Sequence, residues 1–243
     1  MSTFTPIDQA LAAFAAGQIV IVVDNENREN EGDFIMLAEK ATPEKVAFIN
    51  RYSTGILCAP MNRKRAMDLG LPLMWAKNQD TNKTAFTVTT DAKKNLTTGV
   101  SATERATTFT ELARATATAN DFVRPGHVFP LIAADGLLEE RQGHTEAGIA
   151  LARMTNAFPA ALLSEIVNDD GSMARGVSLQ NFSKKFGIPI ISIHNLREYQ
   201  RKNFVGESEK KSYNFAWSPI RLKNADWNIA TFPSLKHREQ VVM

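Results

Sequence analysis

A chain of 243 residues with 44% hydrophobic and 22% charged side chains is long and apolar enough for a closed core, which excludes an intrinsically disordered protein. Lys plus Arg (28) exceeds Asp plus Glu (26) only slightly and no long run of like charge occurs, so neither a nucleic-acid-binding tail nor a polybasic membrane anchor is expected. The single cysteine, Cys58, can form no internal disulfide, and MSTFTPIDQA lacks the basic start of a secretory signal, so a soluble cytoplasmic protein that binds neither membrane nor nucleic acid is expected.

Apolar spacing over 7–16, closed by Gly17, predicts a short helix, and the β-branched run 19–23 predicts a buried strand. After a strongly polar loop, 34–38 reads as a strand and 43–51 as a helix with Pro43 in its first turn; 55–59 reads as a further strand. The Thr- and Val-rich stretch 84–90 has strand composition. Ser101 and Glu104 have capping-box spacing and open a helix expected to reach about 118. Strands are predicted over 127–133, 160–167 and 188–193, and helices over 144–154 and 173–186, the latter stopped by Gly187. Helices alternating with short strands indicate a layered α/β or mixed α+β domain, expected over 1–200. Residues 201–243 are weakly patterned and read as a tail in which Trp217, Trp227 and Phe232 could dock on the main body.

Two segments carry candidate chemistry. The loop DNENRENEGD, 24–33, holds Asp24, Glu26, Glu29, Glu31 and Asp33 around a lone Arg28. Such a loop is either a solvated acidic turn or the oxygen-rich half of a hard divalent-metal site. The segment RQGHTEAG, 141–148, enters a helix through a glycine. It is either a plain helix cap or an anion cradle built from first-turn N–H groups, Arg141 and Thr145. His144 could add an imidazole ligand to a metal held by Glu29. His127 stands at a loop-to-strand junction, as a proton-transfer residue or a hydrogen-bonded structural one. Glu165 interrupts an apolar strand, where a carboxylate needs a partner or a raised pKa. Cys58 reads as a small packed side chain.

Together RENEGD (28–33), TAFTVTTDA (84–92), TTGVSATERATT (97–108), DFVRPGHVFPL (121–131), RQGHTEA (141–147) and EIVNDDGSMAR (165–175) resemble the 3,4-dihydroxy-2-butanone 4-phosphate synthase family, over roughly 5–200. The resemblance implies a single α+β domain with a mixed sheet flanked by helices. It implies a homodimeric, monofunctional lyase of riboflavin biosynthesis that converts ribulose 5-phosphate to a four-carbon phosphate and formate. Glu29 and His144 would bind a pair of Mg²⁺ ions, with Mn²⁺ an accepted substitute. Arg28 and Asp33 would hold sugar hydroxyls, Arg141, Gly143 and Thr145 would hold the phosphate, and Glu29, Gln142 and His144 would also touch substrate. His127 and Glu165 would move protons, Thr98 would reach the neighbouring subunit's site, and Cys58 would lie near it. Asn25 and Asn27 stand where the family usually has acidic residues, which implies weaker metal binding or loop closure. Glu104 replaces a frequent Asp, and Gly148 is expected to loosen its helix. The departures and the tail define the alternative, a catalytically impaired homologue that binds a sugar phosphate or a partner.

Overall fold

The computed structural model describes residues 4–204, 216–222, 225–233 and 240–242. The chain separates into two compact units, Met1–Gln200 and Arg201–Met243.

In the first unit the helices are α1 (Ile7–Ala15), α2 (Pro43–Arg51), α3 (Arg63–Asp68), α4 (Ala102–Ala113), α5 (His144–Met154), α6 (Val177–Phe186) and α7 (Ile193–Phe204), whose last residues run into the second. The strands are β1 (Val20–Val23), β2 (Gly32–Leu37), β3 (Cys58–Met61), β4 (Thr90–Ala92), β5 (Phe122–Ile132), β6 (Ala161–Glu165) and β7 (Ile190–Ser192). They form one seven-stranded mixed sheet in the order β4-β5-β3-β6-β2-β1-β7, parallel between β3 and β5 and between β1 and β7 and antiparallel elsewhere.

The period-two geometry of a strand divides the core between the two faces. Val20, Val22, Ile35 and Leu37 pack in the layer that contains Phe14 of α1 and Ala147 and Leu151 of α5. Ile21, Phe34 and Met36 pack in the layer that contains Val46, Ile49, Phe109, Leu112 and Leu179 from α2, α4 and α6. Central strands covered on both faces require the unbroken apolar runs seen in the sequence. Gly148 has a packing reason: a Cβ there would lie 3.2 Å from Ala161 Cβ, so its absence lets α5 approach β6 closely. The expected loosening of the helix is thus traded for a tighter layer.

Several element boundaries differ from the sequence expectation. α4 stops at Ala113, not near 118, because the buried Arg65 guanidinium of α3 donates to the carbonyls of Leu112 (3.0 Å), Arg114 (2.7 Å) and Ala117 (3.2 Å). These bonds satisfy terminal carbonyls that a longer helix would have used. Most of 84–90 forms only isolated bridges, Leu73 to Thr87 and Phe86 to Leu131, and β4 starts at Thr90. β3 lies a few residues later than expected, β5 begins upstream at Phe122, and α6 begins at Val177 after Gly176. α3 and α7 had no predicted counterpart.

The second unit contains β8 (Ala216–Leu222), β9 (Ala225–Pro233) and β10 (Gln240–Val242), an antiparallel sheet in the order β10-β9-β8, where the sequence suggested a weakly patterned tail. The side chains of Trp217, Trp227 and Phe232 lie outside the described part of the structure. Among the described residues, no helix is long and apolar enough to cross a membrane.

Candidate active site

The acidic loop joins β1 to β2, and its charge is organised by two arginines. Arg28 Nη1 donates to Asp24 Oδ2 at 2.9 Å and to Glu29 Oε2 at 2.5 Å, while Arg175 donates to Glu31 at 2.9 Å. Asp24 also accepts the backbone N–H groups of Glu29 (3.1 Å) and Glu31 (2.9 Å), so its carboxylate folds the loop back onto the end of β1.

His144, the first residue of α5, meets this loop from the layer beneath. Its Nε2 lies 3.1 Å from the Val22 carbonyl, which can only accept, so Nε2 carries the proton and donates. Nδ1 is thereby turned toward Glu29 Oε2 and Asp33 Oδ1, each 3.6 Å away. One ligand atom each from Asp24, Glu29 and His144 lies within 4.8 Å of the others. Burial disfavours the charged imidazole, but the carboxylates of Asp33, Glu29 and Asp24 outweigh it and hold its pKa at about 9. Burial pushes Asp33 up to about 7 against the pull of His144, with Glu165 and Glu29 adding to the rise. Glu29 is partly desolvated, yet its contacts with His144 and Arg28 bring it down to about 2. Asp33 Oδ1 is buried and has no hydrogen-bond partner.

Glu29, Asp33 and His144 open onto a cavity of about 180 Å³ whose lining also includes Arg141, Thr145, Cys58 and Glu165, whereas Asp24 lines the neighbouring depression. Arg141 donates from Nη1 to Glu146 at 2.6 Å, from Nε to the Asn82 carbonyl at 3.0 Å and from Nη2 to Thr84 Oγ1 at 2.9 Å. Gly143 caps α5 at a position where a Cβ would lie 2.2 Å from Arg141 Nη1, so only glycine lets the guanidinium fold over the backbone. Glu165 ends β6 opposite Asp33 of β2 and accepts the Thr54 hydroxyl at 2.6 Å, which supplies the partner expected from sequence. The Cys58 thiol is buried, and its pKa is pushed well up by desolvation and by Glu165 and Asp33, so it is held as a neutral packed group.

Of the residues singled out from sequence, Arg28, Glu29, Asp33, Cys58, Arg141, His144, Thr145 and Glu165 line this one cavity. Gln142 is exposed beside it. His127 and Thr98 do not line it. His127 sits on β5 with its side chain 46% exposed and Nδ1 2.7 Å from Asp91 Oδ2, while Thr98 is exposed. Its neighbour Gly99 packs against that same pair, with an added Cβ 2.8 Å from His127 Nδ1. Asn25 and Asn27 line a separate depression with Gln180, His194 and Asn195 and do not line the Glu29 cavity. Glu104 completes its capping box and also accepts Thr97 and Gly99 N–H groups, which fixes the loop carrying Thr98. Sequence reasoning missed Asp80, Asn82 and Thr84 as cavity residues and Glu146 as the buried anchor of Arg141. The RQGHTEA block held a signal for Glu146 and the TAFTVTTDA block one for Thr84, its first residue.

Residues 8–199 match the family model described as 3,4-dihydroxy-2-butanone 4-phosphate synthase. Among curated relatives, the riboflavin biosynthesis protein RibBA of Nocardia farcinica is 50% identical over 205 residues, covering 84% of this chain and 50% of the relative. RibBA of Rhodococcus erythropolis is 45% identical over 237 residues, covering 97% of this chain and 55% of that one. The chain therefore spans about half the length of the curated relatives it matches. Among solved structures, a 3,4-dihydroxy-2-butanone 4-phosphate synthase in complex with two magnesium ions superposes with a TM-score of 0.80 at 39% identity, covering 82% of this chain and 98% of that one. RibBX of A. baumannii, a two-domain 3,4-dihydroxy-2-butanone 4-phosphate synthase, also gives 0.80, at 32% identity over 98% of this chain and 70% of its own. The acidic loop, the imidazole beneath it and the anchored arginine beside it thus belong to a fold matched along nearly its whole length, and this chain is a member of the 3,4-dihydroxy-2-butanone 4-phosphate synthase family.

Proposed function

We propose that this chain converts D-ribulose 5-phosphate to 3,4-dihydroxy-2-butanone 4-phosphate and formate in riboflavin biosynthesis, using divalent metal. The observation that carries the reading is His144. With Nε2 committed to Val22, its Nδ1 faces two carboxylates at 3.6 Å, so that position must hold a proton or a cation. The unpartnered buried oxygen of Asp33 and the hard oxygen donors Asp24 and Glu29 suit Mg²⁺ or Mn²⁺.

Glu29 and His144, joined by Asp24, are the residues that would hold the ions, two per site. Bound metal supplies stabilisation of negative charge on sugar oxygens. Arg28 and Asp33 orient the sugar hydroxyls, and Arg141, Gln142, Gly143 and Thr145 hold the phosphate at the other end. Fixing both ends of a five-carbon substrate keeps the carbons that rearrange in register. Asp33, with a pKa near 7, can accept and return a proton at neutral pH. Glu165, beside it in the sheet, and His127 are the further proton-transfer groups. Because His127 and Thr98 lie together but outside the cavity, we assign them to the cavity of a second copy in a homodimer. Apolar Val100, 49% exposed next to that loop, and Ile56, 43% exposed near Glu165, fit such an interface. A lone buried cysteine suits a reducing cytoplasm.

The test is incubation with Mg²⁺ and ribulose 5-phosphate labelled at C4, followed by NMR, with EDTA and protein-free controls. Labelled formate that needs both protein and metal supports the reading. Unchanged substrate across Mg²⁺ and Mn²⁺ titrations of folded protein would favour the impaired homologue.

A further inference from the structure

The turn 78–84 has no role in the assignments above, yet it touches both ends of the cavity. It is held in shape by its own bonds: Asn78 Nδ2 donates to the Thr84 carbonyl at 2.9 Å, Thr84 N–H to Asp80 Oδ2 at 2.9 Å, and Lys83 N–H to the Asp80 carbonyl at 3.1 Å. Around that frame Asn82 and Thr84 turn inward and are half-buried, while Thr81 and Lys83 are exposed.

Asn82 makes two inward bonds of different kinds. Its side-chain Nδ2 donates to Glu29 Oε1 at 2.7 Å, and its backbone carbonyl accepts Arg141 Nε–H at 3.0 Å. The Glu29 oxygen it engages is not the one facing His144, which is Oε2. The amide therefore orients the carboxylate from behind and leaves Oε2, which Arg28 also engages, turned toward His144, as outer partners of ligating carboxylates do. At the other end, Arg141 has five N–H groups. Among the described residues three are taken, by Asn82, Thr84 and Glu146. One N–H on each terminal nitrogen remains, the paired geometry that suits two oxygens of a phosphate.

We propose that Asn82 is a positioning residue that ties the metal-binding and phosphate-binding halves of the site together, through its side chain on Glu29 and its backbone on Arg141. Thr84 serves the phosphate half alone. The proposal rests on the function proposed above and adds to it which residue makes the two halves one rigid receptor.

The test uses full-length protein and two binding probes, Mn²⁺ followed by electron paramagnetic resonance and inorganic phosphate followed by calorimetry. Asn82→Ala is expected to weaken Mn²⁺ binding about tenfold, at the lower end of the loss seen for outer-shell partners of metal ligands. It should also weaken phosphate binding at least about threefold, because the carbonyl that fixes Arg141 is no longer anchored. Thr84→Val, which keeps the shape and removes the hydroxyl, should weaken phosphate by a similar factor and leave Mn²⁺ unchanged. A merely structural role for the turn would move both probes in both variants. That pattern, or an Asn82→Ala variant altered in one probe only or in neither, overturns the proposal. Wild-type protein that binds both probes but releases no formate would refute the function and leave the tie standing. Wild-type protein that binds neither probe would refute both.

Discussion

Lowering the pH from about 9 to about 7 should weaken divalent-metal binding roughly fiftyfold. The tautomer of His144 sets this dependence. The Val22 carbonyl fixes a proton on Nε2, so metal can reach the ring only at Nδ1. The surrounding carboxylates keep Nδ1 protonated up to a pKa of about 9. A raised imidazole pKa favours the protonated, metal-free site below it, so affinity rises with pH and levels off once the folded pKa is passed. Displacing that proton two pH units below its pKa costs about 2.7 kcal/mol relative to the deprotonated ring, and since the ring is half protonated at pH 9 the difference between the two pH values is about fiftyfold. Below about pH 7 the slope should steepen, because Asp33, held near 7, begins to take up a proton as well. Calorimetric Mn²⁺ titrations in two buffers of different ionisation enthalpy count the released protons directly. Close to one proton per bound ion is expected near pH 7.5, and His144→Gln should remove most of that release. Equal affinity at both pH values, or release of fewer than about 0.3 protons, would refute the reasoning.

Two further outcomes follow from residues outside the cavity. Asn25→Asp with Asn27→Asp should tighten Mn²⁺ binding only a few-fold at low ionic strength, and the gain should vanish by about 1 M salt, because exposed charges act through screened water. A tenfold gain that survives high salt, measured by the same titration, would mean that these side chains reach the ion. Arg65→Met should destabilise the fold by about 2–4 kcal/mol, since it removes three charge-assisted bonds to the end of α4 while roughly keeping volume. For a domain of this size that is a fall of about 5–15 °C in the thermal midpoint, and a fall below about 2 °C would contradict the account of why α4 stops.

What the sequence revealed and what it hid divide along a physical line. α5 begins at His144 as expected, because its cap and its apolar periodicity are both local. The Ser101–Glu104 capping box is likewise a contact three residues apart, and it formed as read. The end of α4 was not legible because the group that ends it, Arg65, comes from α3, far away in sequence. α3 is a six-residue helix, RKRAMD, too short and polar to show a periodic face. The cavity followed the same rule. Arg28, Glu29, His144 and Arg141 were readable because dense acidic and basic residues around glycine limit what a loop can do. Asn82 and Thr84 were not, because a polar turn acquires chemistry only from what folding brings beside it.

The five-carboxylate loop illustrates why composition alone left two readings open. Like charges at this density repel, and a free acidic turn relieves the repulsion by opening into solvent. Here the turn is instead closed by Arg28 between Asp24 and Glu29 and by Arg175 on Glu31, with Asp24 also taking two backbone N–H groups. Only Glu26 among the five is exposed. The cost of gathering Asp24, Glu29 and Glu31 is thus met by fixed cations and backbone dipoles before any metal arrives, while the buried Asp33 keeps an oxygen without a hydrogen-bond partner. The same arrangement sets a condition on binding. Glu29 Oε2, the oxygen facing His144, is also the one bonded to Arg28. Glu29 and His144 would hold a metal ion in competition with the Nδ1 proton and with the Arg28 hydrogen bond to the same oxygen, and Arg28, which lines the cavity, is in reach of the substrate hydroxyls assigned to it.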